Sequence, residues 1–216
     1  MFQKSYFDSF CNELQLQLAK PLPGYEAQKR MEPPSRQQLL QIPRTEAPRE
    51  GAVLIAFFPD QQGISTIMIQ RSVYDGVHSG QIAFPGGRRD PSDQSLTETA
   101  LREAVEEVGV QRDTIMVIGS LSTLYIPPSN FDVLPVIAIL SERPALKIQP
   151  EEVTEAFFVP LRKLTNPENC QLKTIHVRNY SIANVPAYCI DNRIIWGATA
   201  MIISELLAVL PPYIRL

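Results

Sequence analysis

Glu103, Glu106 and Glu107 occupy positions i, i+3 and i+4 of the segment Thr97-Glu98-Thr99-Ala100-Leu101-Arg102-Glu103-Ala104-Val105-Glu106-Glu107-Val108-Gly109. On a helix of 3.6 residues per turn, that spacing makes the three carboxylates neighbours on one surface, opposite a core-facing stripe of Ala100, Leu101, Ala104, Val105 and Val108. Like charges so placed repel by roughly 0.2–0.5 kcal/mol per pair. A hard divalent cation reverses the sign, because Mg²⁺ favours a few carboxylate oxygens completed by phosphate and water. Such an ion can activate a water and screen charge building on a diphosphate. An isolated Glu-x-x-Glu-Glu is more often a solvated acidic face, so the residues upstream decide its reading. There Phe84-Pro85-Gly86-Gly87-Arg88-Arg89-Asp90 feeds a paired-glycine loop into the helix. Glycine lets backbone approach a ligand closely, so such a loop can offer a carbonyl oxygen beside the glutamates.

Gly87 through Val110, ending in Arg102-Glu103-Ala104-Val105-Glu106-Glu107-Val108-Gly109-Val110, resembles the Nudix box: a Gly, later a Glu, then R-E-U-x-E-E-x-G-U with U aliphatic. The nine-residue tail matches throughout. The resemblance implies a metal-dependent diphosphate hydrolase that uses Mg²⁺ or Mn²⁺. By it, Glu103, Glu106 and Glu107 are metal ligands, a Gly86 or Gly87 carbonyl completes the site, and Arg102 orients the glutamates. The family's first Glu is replaced here by Gln94, and the loop counted from Gly87 is one residue longer. Asp93 or Glu98 is then expected to serve as the partner of Arg102.

A second stretch, Gln70-Arg71-Ser72 with His78-Ser79-Gly80-Gln81 and Phe84-Pro85-Gly86-Gly87, is similar to the signature of the coenzyme A diphosphatase subfamily. It implies hydrolysis of coenzyme A, or an acyl or oxidised derivative, to adenosine 3′,5′-bisphosphate and a phosphopantetheine. ADP-ribose or another nucleoside diphosphate derivative is the alternative substrate. A catalytically silent, ligand-sensing Nudix domain is a third reading. Arginine forks suit phosphates, which makes Arg71, Arg88 and Arg89 the candidate substrate contacts, with His78, Gly80 and Gln81 beside them. Gly76 stands where relatives are expected to carry a basic residue. Relatives also place a catalytic glutamate near Glu151, Glu152 and Glu155, of which Glu152 is taken as the general base. No G-x-S-x-G elbow, P-loop or H-E-x-x-H motif competes.

The elements that must position these groups follow from periodicity. The acidic helix spans 96–108, starts at either Asp90-Pro91 or Ser95 with Glu98, and stops at Gly109. Strands are expected at Ala52–Phe58, Thr66–Gln70, Ile115–Ser120, Phe131–Leu140 and Ala156–Pro160, with a late pair at His176–Tyr180 and Ala187–Ile190. Residues 71–95 read mostly as loop, Leu161–Leu164 as a short helix, and Ile194–Leu210 as a C-terminal helix whose Trp196 segment is core. This order predicts an α/β fold, a Nudix-type α/β/α sandwich with a mixed sheet. Phe7, Phe10, Leu14 and Leu18 predict a helix over 5–19. The six prolines between Pro21 and Pro48 predict an extended arm wrapping the domain, or disorder. The division is an N-terminal helix and arm over 1–48 and a Nudix hydrolase domain over 49–216.

With 44% apolar and 20% charged residues in 216, the chain can fill one core and is thin for two. A net charge of −3 gives no global footprint for nucleic acid or membrane, so an anionic small-molecule substrate must be held by local groups or metal. Cys11, Cys170 and Cys189 are too scattered for a disulfide framework or a zinc site, and neither a signal peptide nor a peroxisomal C-terminus is expected. A cytoplasmic protein is expected, and a homodimer through the arm stays open.

Overall fold

The computed structural model describes residues 4–73, 75–76, 78–177 and 180–214. Tyr74 and Val77 of the upstream signature, residues 178–179 and the C-terminal Arg215 and Leu216 lie outside them.

β1 (Arg49–Asp60) and β2 (Gly63–Arg71) form a hairpin in register from Phe57↔Thr66 to Asp60↔Gly63, across Gln61-Gln62. β1 also runs antiparallel to β4 (Gly86–Arg88) and parallel to β7 (Phe131–Ile139). The short β3 (Ile82–Ala83) and β8 (Val153–Pro160) pair with β2. β5 (Met116–Ser120) and β6 (Leu124–Ile126) pair with β7, completing a mixed sheet of eight strands among the described residues.

The sheet is covered on both sides. Because side chains alternate along a strand, Ala52, Leu54, Ala56 and Phe58 of β1 meet Ala100, Leu101, Ala104 and Val108 of α4 (Leu96–Val108). The intervening Ile55 and Phe57 meet Phe7, Phe10 and Leu14 of α1 (Lys4–Leu18) and the C-terminal helix Gly197–Val209. Phe10 and Phe57 pack edge to face with centroids 5.4 Å apart. The expected α/β/α sandwich is the architecture found. No helix among the described residues is long and apolar enough to cross a membrane.

Three expectations are corrected. The arm is not extended: its proline-free windows close into α2 (Tyr25–Gln28), a 3₁₀ turn at Lys29–Met31 and α3 (Arg36–Leu40), and Ala27 and Met31 are buried. Between Pro23 and Pro33 there is room for about two helical turns, which the proline count conceals. The late strands are longer and differently placed: β9 (Cys170–Val177) and β10 (Tyr180–Ile190) pair antiparallel, so the expected His176–Tyr180 strand straddles their junction. Ile194–Trp196 is not helix but belongs to β11 (Arg193–Trp196), which pairs with β10 after a turn in which Asp191 and Asn192 adopt positive φ. After α5 (Leu161–Thr165), which matches expectation, the last helix is α6 (Gly197–Val209).

The arm is fastened to α6 by Glu205, which is fully buried. Its Oε1 accepts the backbone N–H of Gly24 at 3.1 Å and of Ser122 at 3.2 Å, and its Oε2 accepts the Gln28 side-chain amide at 2.8 Å. A buried carboxylate is tolerable only when so satisfied.

Candidate active site

Ser95 settles the start of α4, because its hydroxyl accepts the Glu98 N–H at 3.2 Å. Gly109 closes the other end in the left-handed region at φ 70, with its N–H on the Val105 carbonyl. Asp90 instead accepts both the N–H and the hydroxyl of Ser92, ordering the preceding turn.

The two faces of α4 are not divided as the periodicity predicts. Val105, expected in the core stripe, is 37% exposed, whereas Glu107, expected on the outer face, is 0% exposed. The cause is β4, the short strand paired to β1 that forms a shelf along the flank of the helix, where the Gly86 N–H meets Glu107. Of the three glutamates, Glu106 alone stays out, its side chain 53% exposed and its Oε2 2.9 Å from Arg102 Nη1.

Two glycines make the shelf possible. Gly86 has φ 155, and a Cβ there would lie 2.3 Å from the Ala52 carbonyl oxygen. A Cβ on Gly87 would lie 2.5 Å from the Glu103 carboxylate. The Gly86 N–H donates to Glu107 Oε2 at 2.8 Å, while Oε1 has no hydrogen-bond partner and lies 3.5 Å from Arg71 Nη1. Burial pushes the Glu107 carboxyl up to about 7, against the opposing pull of Arg71 and the Gly86 N–H. Burial also raises Glu103, countered by Arg102. Glu103, Glu107 and Glu152, from the loop before β8, each place one carboxylate oxygen within 4.8 Å of the others. Glu155 is committed elsewhere, to Arg193.

Arg102 is fixed by Asp93, not Glu98. Its Nε and Nη2 each lie 3.0 Å from the Asp93 carboxylate, its Nη2 donates to the Arg88 carbonyl at 3.0 Å, and it also touches Glu103 at 3.0 Å. Glu98 pairs with Arg112. Asp93 further accepts the Asp90 N–H and the Thr99 hydroxyl, each at 2.9 Å. The Arg102 fork holds the Asp93 carboxyl well below the usual carboxylate range, against the opposing effect of its burial.

The candidate substrate contacts divide. Arg71 is turned inward, donating to the Gly86 carbonyl at 3.2 Å beside Glu107, and so does not present the free phosphate fork expected of it. Arg89 is paired with Glu50 at 2.7 Å. Arg88 remains exposed and without a charge partner among the described residues, on the rim between two cavities. One, of about 890 Å³, is polar and open and is lined by Arg49, Arg88, Arg89, Arg102 and Glu103. The other, of about 290 Å³, is bordered by Arg71, Gly86, Gly87, His78 and Gln81. His78 bridges Gln81 and Ser129 at 3.0 Å each, and burial lowers its pKa. Gly80 takes φ 68 in this loop, its N–H on the Ser72 carbonyl. Ser129 escaped the sequence reading; its only signal is the turn Pro127-Pro128-Ser129-Asn130. Trp196, expected in the core, is half-buried and lines a cavity next to His78.

A NUDIX domain model matches residues 48–180, a span that holds the whole carboxylate cluster. The chain belongs to the Nudix family. It is 34% identical over 158 residues to the uncharacterized Nudix hydrolase NudL of Yersinia pestis, covering 73% of this chain and 78% of that one. The same figures hold for NudL of Yersinia pseudotuberculosis. Among solved structures, the Nudix hydrolase RenU of M. smegmatis aligns with a TM-score of 0.47 and 22% identity, over 56% of this chain and 76% of that one. This Nudix protein is a hydrolase. Nudix hydrolases generally use divalent metal ions, and this site fits one: Glu107 holds a buried oxygen with no hydrogen-bond partner facing two more carboxylates.

Proposed function

We propose that this Nudix hydrolase cleaves the diphosphate bond of coenzyme A or a derivative, using Mg²⁺ or Mn²⁺, to give adenosine 3′,5′-bisphosphate and a 4′-phosphopantetheine. The observation that carries the reaction class is the convergence of Glu103, Glu107 and Glu152 under the Gly86-Gly87 shelf. Glu103 and Glu107, with Glu106 next along the ridge and the Gly87 carbonyl, are assigned to hold the cation. When bound, it supplies charge neutralisation on the diphosphate and a more acidic water.

Arg102, locked by Asp93, orients Glu103 and Glu106. Glu152, the exposed member of the trio, takes the proton of the attacking water. Arg71 favours the charged form of Glu107 from within, opposing its burial. Arg88 on the cavity rim is the free guanidinium for a phosphate. Support for coenzyme A comes from the upstream signature: His78, Gln81, Gly86 and Gly87, from one ten-residue stretch of the chain, line one cavity beside the carboxylates.

The test is turnover of a panel of diphosphates with and without Mg²⁺ or Mn²⁺, products identified by mass. Coenzyme A should be preferred and chelation should abolish turnover. Glu106→Gln and Glu107→Gln should each slow the reaction by orders of magnitude in folded protein. A large preference for ADP-ribose would overturn the substrate, and metal-independent or unchanged mutant turnover would overturn the site.

A further inference from the structure

The cavity beside Gly86 and Gly87 does not end at His78. His78, Gln81, Ile126 and Ala198 also border a second chamber of about 90 Å³, so the two share a wall. Its far side is built by Pro33 and Leu39 of the arm, Ile182 of β10, and Trp196 and Met201 at α6. These are apolar surfaces from segments remote in sequence. Arg36 is the exception among them. Its side chain is nine-tenths buried, its nearest carboxylate, on Glu32, is 3.9 Å away, and its Nε has no hydrogen-bond partner among the described residues. A buried guanidinium N–H without an acceptor is costly, so an acceptor supplied from the chamber would be favoured.

We infer that this chamber receives the far end of the substrate's non-nucleotide arm, an extended uncharged group with an apolar body and an amide-type acceptor for Arg36. The inference rests on the coenzyme A reading and deepens it. Two cavities meet at Arg88. The polar one carries several arginines and suits a phosphorylated nucleotide, whereas the chamber behind the other would desolvate a phosphate with one guanidinium to compensate. About 90 Å³ is roughly the volume of three waters. The chamber therefore holds a short terminal group, with the rest of the arm lying in the cavity at the glycines. The N-terminal arm of the protein, outside the span matched by the family model, thus selects what hangs from the distal phosphate.

Ile182→Trp and Leu39→Trp each fill the chamber from a half-buried position without touching the carboxylates. Steady-state kinetics with coenzyme A, calorimetric binding of adenosine 3′,5′-bisphosphate and thermal melting are measured on both variants and the wild type. The expected result is at least a tenfold loss of kcat/KM for coenzyme A, mainly through KM, with bisphosphate binding unchanged within twofold. Folded variants that keep wild-type kcat/KM, or that lose turnover and bisphosphate binding together, overturn the chamber assignment and leave the substrate reading standing. A wild-type protein that binds the bisphosphate but does not cleave coenzyme A overturns the substrate reading itself.

Discussion

The carboxylate of Glu103 lies where a side chain on Gly87 would begin, 2.5 Å from the position of a Cβ. The obstruction is the mobile end of a long side chain, so the clash can be relieved by moving Glu103 away. Gly87→Ala should therefore keep a melting temperature near that of the wild type yet lower kcat about a hundredfold, the scale on which an ångström of misplacement acts. Gly86→Ala differs, because there the Cβ meets the Ala52 carbonyl oxygen at 2.3 Å and the φ is positive. It should destabilise by about 1–3 kcal/mol or more. Thermal melts and turnover of the two variants, run side by side, check the contrast.

Asp93→Asn tests the Arg102 clamp through pH. The Asp93 carboxyl has a depressed pKa in the folded protein, with Arg102 the largest cause. A depressed carboxylate stabilises fully above its unfolded value of about 4, and the contribution fades as pH falls through the folded value. The melting-temperature gap between wild type and variant should be steady near neutrality and narrow below about pH 4. A gap that persists unchanged into acid would assign Asp93 a role other than ion pairing.

Glu205 anchors the arm through Gly24 and Gln28 and also accepts the Ser122 N–H of the β5–β6 connection, all by hydrogen bonds to one buried carboxylate. Glu205→Ala strands those donors and should cost about 3 kcal/mol, since each unsatisfied buried group costs roughly 1–3. Limited proteolysis should then cut between residues 21 and 48 faster than elsewhere. If cleavage there stays at the wild-type rate, the arm is held by its apolar contacts instead.

The local pattern was sufficient for α4, its Gly109 stop and the central strands, because helix and strand periods are written in consecutive residues. Net charge gave no global footprint for nucleic acid or membrane, and the reaction class came from the box motif. The partner of Arg102 was narrowed by sequence to Asp93 or Glu98, and the fold chose Asp93 by turning Glu98 to Arg112. What sequence could not fix is which glutamates are buried. A helical wheel assumes a single apolar stripe against the core, whereas Glu107 is enclosed by β4, which reaches it only because β1 pairs with Gly86 to Arg88. The convergence of Glu152 with Glu103 across some fifty residues, and of the proline-rich arm with Trp196, likewise depends on long-range packing. Burial, and with it the pKa of each carboxylate, is a property of the assembled layers, and no single segment carries it.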